Sequence, residues 1–369
     1  MRRYGLYMAL ALVLVMIVSL FTGGCGQGKN GETPKGEEKL KVAFVYIGSP
    51  GDAGWTYAHD QGRKYLEQEL PYVETEVVES VPDADAERVI EQLAAKGNKI
   101  IFTTSFGYMD PTIKVAKKYP NVVFLHCSGY KTAENVGTYF GRMYQARYLT
   151  GLVAGKATKT NIIGYVAAHP IPEVIRGINA FALGVRKVNP QAKVKVVWTN
   201  TWFDPAREKE AAYALLDAGA DVIAQHQDTP GPQQAAEERG KLSIGYNSDM
   251  SALAPKAVMT SAIWNWGPYY VRTVEAVKNG TWKPDQYWGP MSDGIVDLAP
   301  FGPMVPEEIK QLVAAEKEKI LKGEWDVFTG PIKDQNGNLR VPEGQRLSDK
   351  EMLEMSWFVE GVEGTIPKS

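Results

Sequence analysis

The sequence predicts an α/β chain of two lobes, each a parallel sheet flanked by helices, with a cleft between them. Three observations carry this. The run Val42 to Ile47 is β-branched and aromatic without alternation, the pattern of a strand buried on both faces beneath helices. Strand-like and helix-like segments then alternate through most of the chain, an order that demands parallel sheets with right-handed crossovers. At 369 residues the chain exceeds one ordinary core and suits two.

The stretch Lys41 to Gly62 sets the pattern for the rest. After its strand, Gly48, Ser49, Pro50, Gly51 and Gly54 supply a tight turn, and Trp55, Ala58, Gly62, Tyr65 and Leu66 mark one face of the helix that follows. In doubly wound sheets ligands sit beyond the carboxyl ends of the strands, so Asp52 and Trp55 stand where a small molecule would be held.

The first lobe continues with a strand at 73–79, a helix at 84–96, a strand at 99–104, a short helix at 111–118, a strand at 122–126 and an extended piece at 136–140. The turns at 80–83, 105–110 and 127–130 face the side of Asp52 and Trp55. Phe106 and Tyr108 either line one wall of the cleft there or form a lid over the sheet edge.

A second series runs through a helix at 142–158, a strand at 162–167, and a long helix with Val174, Ile175, Ile178, Phe181, Ala182 and Val185 on one stripe. A strand at 193–198, a loop carrying Trp202, a helix through Leu216, and strands at 221–226 and 242–246 complete it. The strand ends present Gln227, Asp228, Asn247 and Asp249. Asp204 before Pro205 is a sound helix start, since Asp caps and Pro suits the first turn.

A strand at 257–263 and a helix at 269–278 are expected to return to the first lobe. After them come 287–298, a helix at 306–322, a hairpin around Gln335-Asn336-Gly337 and a last helix from Ser348. The lobes are thereby assigned as 39–141 plus 248–284 and 142–247 plus 285–369.

Composition excludes several classes of function. A net charge of -2 gives no basic footprint for nucleic acid, and 44% hydrophobic with 10% aromatic residues is ordinary for a soluble globular protein. His59, His126, His169 and His226 lie far apart without metal-ligand spacing, and no nucleophile elbow, P-loop or dinucleotide glycine motif is present. An enzyme is not expected, and no cofactor or metal. The nine tryptophans are either packing residues or platforms for flat ligands.

The first residues read as a targeting segment. Arg2 and Arg3 precede an apolar run from Leu6 to Phe21, and Thr22-Gly23-Gly24-Cys25 resembles the end of a bacterial lipoprotein signal, although Thr22 stands where Leu is usual. Cys25 is then the lipidated residue, and residues 1–25 are the signal peptide; an uncleaved membrane anchor is the alternative. Residues 26–38 have the composition of a flexible tether. Cys127 is left without a partner, so disulfides do not hold the fold together.

Several motifs in this order resemble the basic membrane lipoprotein (PnrA-like) family of substrate-binding proteins for ABC importers. They are the segment ending in Cys25, Gly51-Asp52-Ala53-Gly54-Trp55, Thr104-Ser105-Phe106-Gly107, the stretch Arg176 to Gly184, Trp202-Phe203-Asp204 and Tyr246-Asn247-Ser248-Asp249. The resemblance implies the two-lobe fold of type I periplasmic binding proteins. It also implies permease and ATPase partners, a lipid-anchored location outside the cytoplasm, and a purine nucleoside stacked between aromatics with charged side chains on its ribose.

Matched by motif, Trp55 and Trp202 fall near the stacking positions and Asp249 on the acidic residue after the strand. The basic residue expected near the ribose is missing where the chain reads Ser261-Ala262-Ile263-Trp264-Asn265-Trp266. An aromatic such as Trp264 closing the sugar pocket favours a free base such as adenine over its nucleoside. Asp52, Asp228, Asn247 and Asp249 are candidate partners for the purine edge, with helix caps and turns as their alternatives. The expected function is capture of a purine base for import. A nucleoside receptor of the same fold and a surface sensor uncoupled from transport are the competing readings.

Overall fold

The computed structural model describes residues 39–367. The expected signal peptide, Cys25 and tether lie outside the described residues. Among those described, no helix is long and apolar enough to cross a membrane.

The first half of the chain runs β1 (Leu40–Val45), α1 (Trp55–Glu69), β2 (Val73–Val78), α2 (Ala86–Ala95), β3 (Ile100–Thr103), α3 (Met109–Lys118), β4 (Val123–Cys127) and β5 (Val136–Gly141). Next come α4 (Met143–Ala157), β6 (Ile162–Ala167), α5 (Pro172–Val188), β7 (Lys193–Trp198), α6 (Pro205–Asp217), β8 (Val222–His226), α7 (Gly231–Glu238) and β9 (Leu242–Asn247). The remainder is β10 (Val258–Trp264), α8 (Gly267–Lys278), β11 (Gln286–Gly289), β12 (Val296–Leu298), α9 (Glu307–Leu321), β13 (Ile332–Lys333), β14 (Leu339–Val341), α10 (Asp349–Leu353) and β15 (Val362–Glu363).

Two sheets organise these elements. The first has the order β2-β1-β3-β4-β5-β11 and is parallel throughout. The second has the order β15-β7-β6-β8-β9-β10-β12, with only β12 antiparallel to its neighbour. In both, the strand that opens the series lies between the second strand and the third, so each sheet reverses direction beside its first strand. That switch point is where a doubly wound sheet opens a crevice.

β1 starts and ends two residues earlier than its apolar run suggests, which leaves Ile47 beyond the strand. The strand expected to return to the first lobe is β10, and it pairs with β9 in the second sheet instead. The crossover comes after it. α8 packs on α1, where Gly62 is tight against Trp266 and Tyr270, and β11 pairs with β5. The segment 287–298 is divided between the two sheets, β11 joining the first and β12 the second. An apolar run encodes burial but not which sheet supplies the partner, and that is why sequence pattern misplaced β10.

α4 is buried along nearly all its length. Its backbone touches that of α5: a β-carbon on Gly151 would lie 2.1 Å from the Phe181 carbonyl oxygen, and one on Gly184 would lie 2.0 Å from that of Tyr148. The hairpin β13–β14 turns at Asn336-Gly337, with Gly337 at φ 85°, and Ser348 caps α10 through a reciprocal pair with Glu351.

Six non-glycine residues among those described have left-handed backbones, and five of them, Ala53, Ser80, Ser128, Asn200 and Asn247, end or follow strands. Sharp bends of this kind cost energy and collect at binding sites, so they direct attention to the carboxyl edges of both sheets.

Candidate ligand-binding cleft

Residues from the carboxyl edges of both sheets line one cavity. The first lobe contributes Ile47, Trp55, Ser105, Phe106 and Ser128. The second contributes Glu173, Trp202, His226, Asp228 and Tyr246.

Trp55 opens α1 and is held from two directions. Its indole N–H donates to the Thr104 carbonyl at 2.7 Å, and its ring meets Trp264 and Trp266 edge-on at 5.8 and 5.7 Å. Trp202 lies in the loop after β7, packed against His169 with ring centres 4.9 Å apart. Phe106 stands half-exposed where the first lobe borders the cavity. Aromatic surface from opposite lobes therefore borders one space, an arrangement suited to a flat ligand.

Asp228 supplies a carboxyl to the same space. Its backbone N–H donates to the Trp202 carbonyl at 3.1 Å, which ties the two residues together. Asn247 donates from Nδ2 to the Asp228 carboxylate at 3.2 Å, and Trp264 donates from its indole to Asn247 Oδ1 at 2.9 Å. Asn247 and Trp264 thus stand behind the cavity wall and orient Asp228. Burial, with Asp52 and Glu208 nearby, pushes the Asp228 carboxyl well above its ordinary range. A carboxyl held in its neutral form can donate as well as accept.

Three other expected residues are placed elsewhere. Asp52 is buried beneath the first turn of α1, where its carboxylate accepts the backbone N–H groups of Gly54, Thr56 and Tyr57 at 2.8 to 2.9 Å. Its side chain is spent on capping, and burial raises its pKa despite those donors. Tyr108 is fully buried in the layer between β1 and α2–α3, its hydroxyl donating to the Val81 carbonyl at 2.5 Å. Asp249 is exposed and accepts from the Ser251 N–H at 2.9 Å. It closes a turn outside the cavity.

The structure also brings forward residues that pattern reading passed over. His226 ends β8, and its Nε2 lies 3.5 Å from Glu173 Oε1 and 3.3 Å from the Tyr246 hydroxyl. Burial lowers its pKa to about 4, so the imidazole is neutral at pH 7. Glu173, His226 and Tyr246 also border a smaller adjoining space with Arg147, Arg176 and Tyr144. Arg147 is fully buried, stacks 3.6 Å above the Tyr246 ring and donates to the Gln225 carbonyl at 2.7 Å. The signal that could have found His226 is its place at a strand end; as the last residue of a buried run it reads as core.

The lobes meet beside the cavity. Ser248, after β9, donates its hydroxyl to the Ala53 carbonyl, and Gly54 lies directly against the backbone of Asp228.

Residues 39–325 match the family model described as ABC transporter substrate-binding protein, PnrA-like. The chain belongs to this family. It is 46% identical over 359 residues to a purine-binding protein of Brucella abortus, covering 97% of this chain and all of that one. It is also 46% identical over 347 residues to a putative ABC transporter glucose-binding protein of Haloferax volcanii, covering 94% and 86%. Solute-binding proteins from Aeropyrum pernix (TM-score 0.69, 20% identity, 80% and 93% covered) and Conexibacter woesei (TM-score 0.64, 24% identity, 78% and 98% covered) share the fold. As a PnrA-like substrate-binding protein, the molecule takes a small-molecule ligand outside the cytoplasm, works with a permease and an ATPase, and catalyses no reaction.

Proposed function

We propose that this PnrA-like protein captures a purine nucleobase, of which adenine is the type, between its two lobes and hands it to the permease. The carrying observation is that Trp55 and Trp202 enter one cavity from different lobes. Each indole stacked on a base is worth roughly 1–3 kcal/mol, so two faces together supply roughly micromolar affinity before any hydrogen bond forms. Each lobe brings one face, and closure completes the pair.

The free base is favoured over the nucleoside because Trp264 lies where a basic partner for the ribose is expected. It packs on Phe140 at 4.9 Å and on Trp266 at 4.6 Å, and its one polar atom is engaged with Asn247. Lipidation at Cys25 would tether the protein to the membrane beside its permease. The purine-binding relative from Brucella supports the ligand class.

Calorimetric titration with adenine, adenosine and glucose tests this reading. Adenine is expected to bind at least about tenfold more tightly than either competitor, a difference of about 1.4 kcal/mol. Tighter binding of adenosine would return the protein to the nucleoside reading, and tighter binding of glucose would remove the purine altogether.

A further inference from the structure

The second-lobe wall of the cavity carries His226 and Glu173 side by side. His226 is 4% exposed, and its Nδ1 has no protein partner among the described residues. Arg147 is buried, and its Nε–H and Nη2 are likewise without a partner. Both side chains border the same gap at Gly177: a β-carbon there would stand 3.6 Å from His226 Nδ1 and 3.8 Å from Arg147 Nε.

A guanidinium only donates, and the Arg147 charge acts on this imidazole, so the tautomer with Nδ1 unprotonated is the favoured one. The single proton of neutral His226 then sits on Nε2, facing Glu173 and the cavity. Glu173 lies in the first turn of α5, where the helix dipole favours a negative charge. Its Oε1 is 3.5 Å from His226 Nε2, too far for a good hydrogen bond, and the Tyr246 hydroxyl meets the same nitrogen at 3.3 Å, so a ligand at this wall competes only with long contacts.

Resting on the purine reading above, we propose that Glu173 and His226 select the free base by reading its N9–H/N3 edge. Glu173 accepts the N9–H and the His226 Nε2–H donates to N3. Among the edges of a purine this one is altered by glycosylation, which replaces the N9 hydrogen with a sugar. Asp228 and its partner Asn247 remain for the opposite, substituent-bearing edge. A buried site that hydrogen-bonds a ligand N–H rejects an analogue lacking it, because the unpaired carboxylate is then left without compensation.

Calorimetry on the intact protein with adenine, 9-methyladenine and 3-deazaadenine tests the pair. In wild type both analogues should bind at least about tenfold more weakly than adenine. Glu173→Leu should shrink the ratio between adenine and 9-methyladenine, and His226→Phe should abolish the ratio between adenine and 3-deazaadenine. A substitution that merely disturbs the wall would weaken all three ligands equally and leave both ratios intact. Unchanged ratios in the variants, or wild-type binding of 9-methyladenine as tight as that of adenine, would overturn the assignment while leaving purine binding in place. Failure of every purine to bind wild type would overturn the purine reading and the pair together.

Discussion

Gly54 of the first lobe sits so close to Asp228 of the second that a β-carbon on it would stand 2.2 Å from the Asp228 carbonyl oxygen. The neighbour is backbone, which cannot swing aside as a side chain would. The contact between the lobes therefore requires glycine at this position. Gly54→Ala should fold normally but resist closure. Small-angle scattering should show wild type becoming more compact with adenine while the variant does not, and affinity should fall by at least about tenfold. A variant that compacts as wild type does would remove this contact from the closing mechanism.

The two tryptophans should act as a coupled pair. Trp55→Ala or Trp202→Ala each removes a stacking face worth roughly 1–3 kcal/mol, which is about a tenfold to hundredfold loss of affinity. With one face gone the lobes gain less by closing, so the second truncation should cost less in the double variant than alone. Additive losses would mean that the rings act independently.

Glu208 offers a test by pH. Its side chain is fully buried in α6 and accepts from the Asp204 N–H and the Thr229 hydroxyl at 3.0 and 2.5 Å. Burial outweighs those donors and pushes its carboxyl from 4.5 up to about 7. A carboxyl with a raised folded pKa binds more protons folded than unfolded, so its contribution is present at low pH and is lost as pH rises from 4.5 through about 7. Glu208→Gln cannot ionise. Its stability relative to wild type should rise across that window by up to roughly 3 kcal/mol, read as a growing difference in Tm. A difference that stays constant with pH would show that Glu208 is ionised throughout.

Cys25→Ser should release the protein from the membrane fraction and leave its affinity for adenine unchanged. Retention on the membrane with an uncleaved N-terminus would identify residues 1–25 as a transmembrane anchor instead.

The fold was legible because its signals are local and redundant. The unalternating run at β1, the Gly- and Pro-rich turn after it and the repeated strand–helix order all demand parallel sheets. β10 was assigned to the wrong lobe because its apolar pattern suits a central strand of either sheet. Within the cleft, Trp55, Phe106, Trp202 and Asp228 were reachable from the rule that ligands sit at strand ends. Asp52 obeys that rule and the rule for helix starts equally, and only its three backbone donors decide for capping. Tyr108 follows a strand end too, but its ring turns down into the helix layer. Glu173 reads as an acid in a first helical turn and His226 as the end of a buried strand. What joins them is their distance, which no sequence spacing of this kind encodes.

A crystal structure of the protein with adenine bound tests the central claim most directly. The account predicts the base lying flat between the indoles of Trp55 and Trp202, with Asp228 on one edge and Glu173 with His226 on the other. Adenine bound outside this cavity, or held within it edge-on to both indoles, would contradict the account.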